Sequence, residues 1–419
     1  VCEKIEIDRD LIALANIFKN AGFSLYLVGG ALRDRYLKRK NYDIDVATDA
    51  KPEQVSHLFK KIIPTGIEHG TVTIRFRGKS IECTTLRREE GYTDARHPDK
   101  VVYGSSIKED LSRRDFTMNA MAASLPDGTF FDPYNGKYDI KASLIRTVGN
   151  PLTRFSEDGL RPLRAIRFAG QLNFEIEKET LKAISFSLEK ISKVSIERIQ
   201  EEFNKILKAK YTSNSLKLLR ATKVFSVFLP EISNIDEKDF EILITKLSYI
   251  ERERYDLRLV ILFSYIYNQE KSIEKITSIL KRLKYSNKIV ENVSHLVKVH
   301  DFDETTLNTQ SKIRHFIKDI GKEYINDVLI LKKVIIKTSL SPYFEALKNL
   351  EKEIEIVLKE NQPLSLKELA ITGNDLLSAG FERGPNLGNT LKKLLDVVLE
   401  EPTKNKKDEL LKIANKLKE

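Results

Sequence analysis

The sequence predicts an α+β fold, a mixed head followed by a helical remainder, and three observations carry that expectation. Between Asp8 and about Val148, short β-rich runs alternate with amphipathic helical stretches. Within that region Thr71 to Phe76 and Lys79 to Leu86 flank Arg77-Gly78, the spacing of a hairpin. Beyond Leu152 the strand signal fades, and helix-period segments with few glycines follow one another to the end. With 419 residues and a hydrophobic fraction of 41%, the chain can fill more than one core.

Taken in order, Ser24 to Val28 is an apolar run of strand length, and Gly29-Gly30-Ala31-Leu32-Arg33-Asp34 follows it. Glycines at that point let backbone N–H groups approach a phosphate closely where a helix begins, and Arg33 adds positive charge one turn later. Asp43-Ile44-Asp45 comes next. Two carboxylates on alternate residues of a strand share a face and can hold two metal ions, while Ile44 turns to the core. In the second hairpin strand Ile81 and Cys83 face one side and Glu82 the other, so Glu82 can join the aspartates as a third carboxylate if the strands are neighbours. A triphosphate cradle beside metal-binding carboxylates is the apparatus of nucleotidyl transfer. An isolated Asp-x-Asp is more often two solvated turn residues, so the weight lies on the combination. Arg87 to Ser106, with Gly91, Pro98 and Gly104 among charges, reads as a mobile loop of functional length.

Arg113-Arg114-Asp115-Phe116-Thr117-Met118-Asn119-Ala120 gathers two guanidiniums, a carboxylate and an amide. The arginines suit phosphates, and Asp115 or Asn119 can bond ribose hydroxyls. The plainer alternative is a helix start capped by Asp115. Further on, Asp158, Arg161, Arg164 and Arg167 recur every third residue, which on a helix is a slowly drifting polar strip. Asp158 and Arg161 then form one edge. A carboxylate accepts from an exocyclic amino group, and a guanidinium donates to the ring acceptor beside it. Cytosine and adenine both present that order, whereas uracil and guanine present a carbonyl and an N–H, so the pair would accept CTP and ATP and reject UTP and GTP. An intrahelical ladder of ion pairs is the competing explanation.

In the helical remainder Pro230, Pro342 and Pro363 mark breaks, and the final segment from Leu364 is rich in lysine. His300-Asp301 has the form of a paired metal ligand, but no histidine lies between His97 and His295 to complete such a site, which favours a helix end. A net charge of +10 suits an anionic partner such as RNA, although solvated Lys/Glu helix faces explain it as readily. Cys2 and Cys83 support neither a disulfide framework nor a zinc site, which points to a reducing cytoplasm. The first ten residues are charged and no apolar window approaches the length needed to span a bilayer, so no membrane association is expected.

Together, Gly29-Gly30-x-x-Arg33-Asp34, Asp43-x-Asp45, Ile81-Glu82-x-Thr84-Thr85, Arg113-Arg114-Asp115-Phe116-Thr117-x-Asn119 and Glu157-Asp158-x-x-Arg161-x-x-Arg164 fall in an order and spacing that resembles class II tRNA nucleotidyltransferases. That family comprises CCA-adding enzymes and the related bacterial poly(A) polymerases. The resemblance is strong to about Leu207, where Glu197-Arg198-Ile199-Gln200-Glu201-Glu202 looks like the last shared motif. It implies a DNA polymerase β-like catalytic head over residues 1–150, a helical neck with the base-reading motif over 151–210, a body over 211–345 and a tRNA-binding tail over 346–419. It further implies Mg²⁺ held by Asp43 and Asp45, with Glu82 at the third carboxylate position. Gly29, Gly30, Arg33, Arg114, Asp115 and Asn119 would contact the nucleotide, Asp158 and Arg161 would read its base, and Arg164 and Arg167 would complete the site. The activity implied is template-independent building or repair of the tRNA 3′ CCA end from CTP and ATP with release of pyrophosphate. An enzyme adding only A is the nearest rival, and a non-catalytic tRNA-binding protein a more distant one.

Overall fold

The computed structural model describes residues 3–39, 44–66, 70–90, 100–104, 106–339 and 344–417. Of the residues singled out above, Cys2, Asp43, the 91–99 stretch with Gly91, His97 and Pro98, and Pro342 lie outside this set. The chain divides into two compact units, Val1–Asp236 and Glu237–Glu419.

The first unit begins with α1 (Arg9–Asn20), β1 (Leu25–Val28), α2 (Gly30–Tyr36), β2 (Ile44–Thr48) and α3 (Pro52–Leu58). Strands β3 (Ile62–Gly66), β4 (Thr71–Phe76) and β5 (Lys79–Thr85) follow, then β6 (Arg87–Glu90), β7 (Lys100–Tyr103), α4 (Ile107–Ser112), β8 (Ala122–Leu125) and β9 (Phe130–Phe131). Seven of these strands form one sheet in the order β3-β4-β5-β2-β1-β8-β9. In it β2 and β5 run parallel, and the other neighbours are antiparallel. The predicted hairpin is β4-β5, and its Arg77-Gly78 turn has both residues at positive φ, 47° and 79°, the conformation whose twist matches the flanking strands. One helical layer contributes Leu14 and Phe18 of α1, both fully buried. Elsewhere Val28, Ala47, Leu111, Ala122 and Val148 pack together, small residues that let the strands and α4 approach closely. The segment read as a loop from Arg87 is not all loop: its described ends pair as the antiparallel ribbon β6-β7, consistent with the β propensity of Val101-Val102-Tyr103.

Past the sheet come α5 (Gly136–Lys141), α6 (Pro151–Glu157), α7 (Arg161–Leu172), α8 (Lys178–Phe186), α9 (Leu188–Ser192) and α10 (Ile196–Leu207). Helix α7 buries Leu163, Ala165, Ile166, Phe168 and Ala169 and packs on α10. Here one expectation fails. Asp158 is not on a helix with the three arginines; it sits past the end of α6 in extended conformation, φ −142° and ψ 109°. The chain turns at Gly159, where a Cβ would lie 2.3 Å from the Lys190 carbonyl oxygen, so close packing on α9 excludes a side chain. Helix α7 then restarts with Pro162 in its first turn, where a missing N–H costs nothing. The helix-cap alternative for Asp115 fails as well: Arg113 closes α4, and the single 3₁₀ turn Thr117–Asn119 begins after Phe116.

All described residues of the second unit that form regular structure are helical. Its central helix Tyr255–Glu270 buries Leu257, Leu259, Val260, Ile261, Leu262, Phe263 and Ile266, apolar nearly all round as an interior helix must be. Helices Glu237–Ser248 and Asn287–Val299 pack against it. His300 ends the latter, its Nδ1 against the Leu296 and Val297 carbonyl oxygens at 3.1 and 3.0 Å, so it is a helix-end residue. Burial lowers its pKa despite Asp301. Among the described residues no helix is long and apolar enough to cross a membrane.

Candidate active site

A cavity of about 760 Å³ opens in the first unit, and every predicted site residue except Asp43 lines it. The size lies within the usual range for ligand sites. One wall is the sheet. Because β2 and β5 are parallel neighbours, Asp45 stands in register with Glu82, and the predicted third carboxylate does join the aspartate strand. On the same pair of strands Val46 and Cys83 are register partners and point to the buried side. Burial pushes the Cys83 thiol up to about 12, so no thiolate forms beside the carboxylates. The oxygen-only donor set of Asp45 and Glu82 fits a hard divalent cation, and Asp43, two residues before Asp45, would complete it.

Gly29 joins β1 to α2 at φ 67°. A Cβ there would come within 3.0 Å of Arg114 Nη1 and 3.6 Å of Asp45 Oδ2. The backbone there, φ 67° and ψ −134°, is one that glycine adopts readily and other residues rarely do, and it carries the chain between the carboxylate and the guanidinium, where the two walls meet.

The opposite wall is built from arginines, each held by protein acceptors. Arg33 donates to Asn119 Oδ1 at 2.8 Å and to Asp34 at 2.9 Å. Arg114 donates to Asp110 Oδ2 and to the Asn119 carbonyl oxygen. Arg164 donates to Asp115 from Nε at 2.8 Å and Nη2 at 2.6 Å, and Asp115 also accepts from the Asn119 amide and the Phe116 N–H. Burial alone would raise the Asp115 carboxyl; Arg164 and Asn119 outweigh it and hold the group well below the usual carboxylate range. Burial likewise opposes the charge of Arg167, lowering its guanidinium to about 10 with Glu202 opposing the shift. Arg167 Nε and Glu202 Oε2 lie 2.9 Å apart but are not aligned as a hydrogen bond, so charge rather than a directed bond joins them.

At the α6–α7 turn, Asp158 and Arg161 do not pair with each other. Asp158 Oδ1 accepts from the Leu160 N–H and Oδ2 from Arg198 Nη2, each at 3.0 Å. Arg161 Nη1 donates to the Arg154 carbonyl oxygen and the Glu157 carboxylate, and Nη2 to the Arg113 carbonyl oxygen at 3.2 Å. The ladder of pairs three residues apart does not form: Arg161 pairs four residues back with Glu157, and Arg164 and Arg167 pair with Asp115 and Glu202. With respect to the described residues, each Asp158 oxygen keeps a lone pair and Arg161 keeps its Nε–H and a second Nη2–H, the donors and acceptors a base edge needs.

Sequence reasoning missed three contributors. Asp110, 1% exposed, bridges Arg113 and Arg114; its spacing of three and four residues before them was a legible helical signal. Arg198, from α10, orients Asp158 across 40 residues of sequence, and nothing local signals that. Phe168 fills the space between arginines from two helices.

The sequence matches family models for a Poly A polymerase head domain over residues 25–146, the RNA and SrmB-binding site of polymerase A over 173–235, and tRNA nucleotidyltransferase domain 2 over 259–414. It is 33% identical to the CCA-adding enzyme of Pediococcus pentosaceus, across 98% of each chain. The solved Bacillus stearothermophilus CCA-adding enzyme in complex with CTP is similar at 27% identity and a TM-score of 0.79, covering 98% of this chain and 97% of that one. A tRNA nucleotidyltransferase complexed with a primer tRNA and an incoming ATP analog is similar at 26% identity and a TM-score of 0.64, over 84% of this chain and all of that one. A mixed-sheet head carrying the carboxylates, a turn bearing Asp158 ahead of an arginine helix and relatives spanning nearly the whole chain agree, and the chain belongs to the CCA-adding enzyme family of tRNA nucleotidyltransferases.

Proposed function

We propose that this enzyme builds and repairs the 3′ CCA end of tRNA, taking CTP and then ATP and releasing pyrophosphate at each addition. The observation that carries the reading is a single cavity in which strand carboxylates face an arginine wall, with Asp158 and Arg161 together at one turn. Arg33, Arg114, Arg164 and Arg167 take the triphosphate, and Gly29 gives it close approach to the backbone. Asp158 accepts from the exocyclic amino group of cytosine or adenine while Arg161 donates to the adjacent ring acceptor, so one protein edge serves both nucleotides. Asp115 or Asn119, tied to Arg164 and Arg33, would bond the ribose hydroxyls.

The tRNA 3′ hydroxyl attacks the α-phosphorus, its oxygen forming the new bond as the bond to pyrophosphate breaks. Asp43 and Asp45 would hold Mg²⁺, which supplies charge stabilisation for the attacking and leaving oxygens when bound. Glu82, in register with Asp45, either adds a ligand or accepts the hydroxyl proton. Phosphoryl transfer asks for positioning and charge more than covalent chemistry, which suits strand carboxylates facing a wall of arginines. The head, neck, body and tail divisions near residues 150, 210 and 345 complete the reading, with the tail on tRNA. The cytoplasm is the compartment it implies.

The test is incubation with tRNAs ending at the discriminator base, after one C and after both, with CTP and ATP supplied separately. C should be added to the first two and A only to the last. Incorporation of A alone, on tRNA already ending in CC, would reduce the activity to the A-only rival.

A further inference from the structure

Phe168 is shared by three of the site's arginines, and it has no role in the reading above. Its ring centroid lies 4.2 Å from the guanidinium carbon of Arg167, 5.1 Å from that of Arg33 and 5.6 Å from that of Arg164. The ring is 5% exposed, borders the cavity, and rests edge-on against fully buried Phe116 at 5.8 Å and 85°. The carboxylates nearby do not share this property. Asp34 pairs with Arg33, Asp115 with Arg164 and Glu202 with Arg167; Asn119, bonded to both Arg33 and Asp115, links the first two, and the Phe168 ring meets all three arginines.

Three like charges around one point repel, and in a half-dry cavity that repulsion is weakly screened. An aromatic face carries a negative quadrupole, attracts cations within about 6 Å of its centroid and does so most strongly where water is excluded. Arg33 comes from α2, in the sheet-bearing head, whereas Arg164 and Arg167 come from α7. A ring between them couples the two segments without adding a charge that would repel phosphate.

We infer that Phe168 is a positioning residue of the nucleotide site, gathering Arg33, Arg164 and Arg167 at the spacing that the phosphates of the incoming nucleotide require. This rests on the reading that those arginines bind the triphosphate. Because it acts through the phosphates and not through the base edge, its effect is the same for CTP and ATP. That separates it from Asp158 and Arg161, whose loss alters the choice of base.

The test replaces Phe168 with mono-, di- and trifluorinated phenylalanines, which weaken the negative face while nearly keeping ring size, alongside Phe168→Leu and Phe168→Tyr in the full chain. KM for CTP is measured on tRNA lacking CCA and KM for ATP on tRNA ending in CC, with kcat and the thermal midpoint for each variant. KM should climb stepwise with fluorination and by roughly five- to thirtyfold in Phe168→Leu, as expected when three cation–π contacts, each near the weak end of their usual range, are removed together. The factor should be equal for both nucleotides, kcat should change far less, and Phe168→Tyr should retain the wild-type KM. A flat KM across the fluorinated series overturns the inference even if Phe168→Leu does not fold, and so does a shift for only one nucleotide. If wild type incorporates both nucleotides while the series stays flat, this inference alone fails. A wild type that incorporates neither removes the parent reading and this one with it.

Discussion

The two walls of the cavity are held in opposite ways. Asp45 and Glu82 are fixed by backbone register, two strands pairing so that the carboxylates stand side by side. The arginines are fixed by side chains from elsewhere, Arg164 by Asp115 and Arg167 by Glu202. The carboxylate wall takes its geometry from the main chain, since strand pairing alone sets the spacing of the two groups along the sheet. A phosphate-binding wall made of long, flexible side chains loses rotamer freedom when it binds unless those side chains are already anchored. Substitutions in the first wall should therefore remove chemistry and leave folding intact. Those in the second should also disturb stability.

The largest effect expected is from the carboxylate wall. Asp45→Asn keeps the strand and its register but removes ligand charge, so addition of C and of A should both fall by about 10²–10³-fold or more, the scale for removing a preorganised charge from an active site. Asp43→Asn should do the same. Steady-state incorporation in Mg²⁺ together with circular dichroism checks both points, and wild-type rates in both variants would remove these residues from catalysis. Glu82→Gln should slow both additions less, and an unchanged rate would make Glu82 structural.

The arginine wall is broken by Asp115→Asn, which leaves Arg164 facing a neutral amide. Asp115 is buried while Arg164 is about one-third exposed, so the destabilisation should fall below the range for a fully buried pair, at about 2 kcal/mol. The pH dependence gives the sign. Because the folded-state pKa of Asp115 lies below its unfolded value, its contribution is complete above the unfolded value of about 3.9 and is lost as pH falls from there toward the folded value. The difference in thermal midpoint between wild type and Asp115→Asn should be constant from about pH 5 to 8 and shrink only below about pH 4. A difference that shrank near neutrality would assign the effect to another group.

The same contrast explains what could be read from the sequence. Alternation places Asp45 and Glu82 on open faces and Cys83 inward, and turn chemistry fixes the hairpin, because strand geometry has a short period and local causes. The carboxylate wall was legible for that reason. The arginine residues were legible as a set, but not their partners: Asp115 and Arg164 lie 49 residues apart, and Asp158 and Arg198 lie 40 apart. The three-residue recurrence of Asp158 with the arginines even misled, since Gly159 packed on Lys190 breaks the helix between them. Periodicity carries no information on which neighbour excludes a Cβ.

Between the walls, Asp158→Ala should relax base choice more than it slows chemistry. Preference for CTP and ATP over UTP and GTP should fall about tenfold, within the roughly 1–3 kcal/mol that a good paired contact contributes. Single-nucleotide incorporation with all four NTPs measures it. Equal loss of rate for all four, with full discrimination kept, would reduce the Asp158–Arg198 contact to a structural brace.

The smallest effect per residue is expected in the second unit, where neither wall is touched. Truncation at Leu364 is a poor probe of it. The helix Pro385–Glu400 buries Leu394, Leu395, Val398 and Leu399, and Arg314 donates to the Leu399 and Glu400 carbonyl oxygens, so deletion would strip a core and strand a guanidinium. Exposed Lys392, Lys393 and Lys412 offer a gentler change. If these lysines meet tRNA phosphates, Lys392→Glu, Lys393→Glu and Lys412→Glu together should weaken tRNA binding and flatten the log–log salt slope by about 0.7–0.9 for each phosphate no longer neutralised. KM for CTP and ATP at saturating tRNA should not move if, as proposed, the triphosphate is held in the other unit. Filter binding across a salt series separates the outcomes, and an unchanged affinity and slope would leave the lysines as a solvated face.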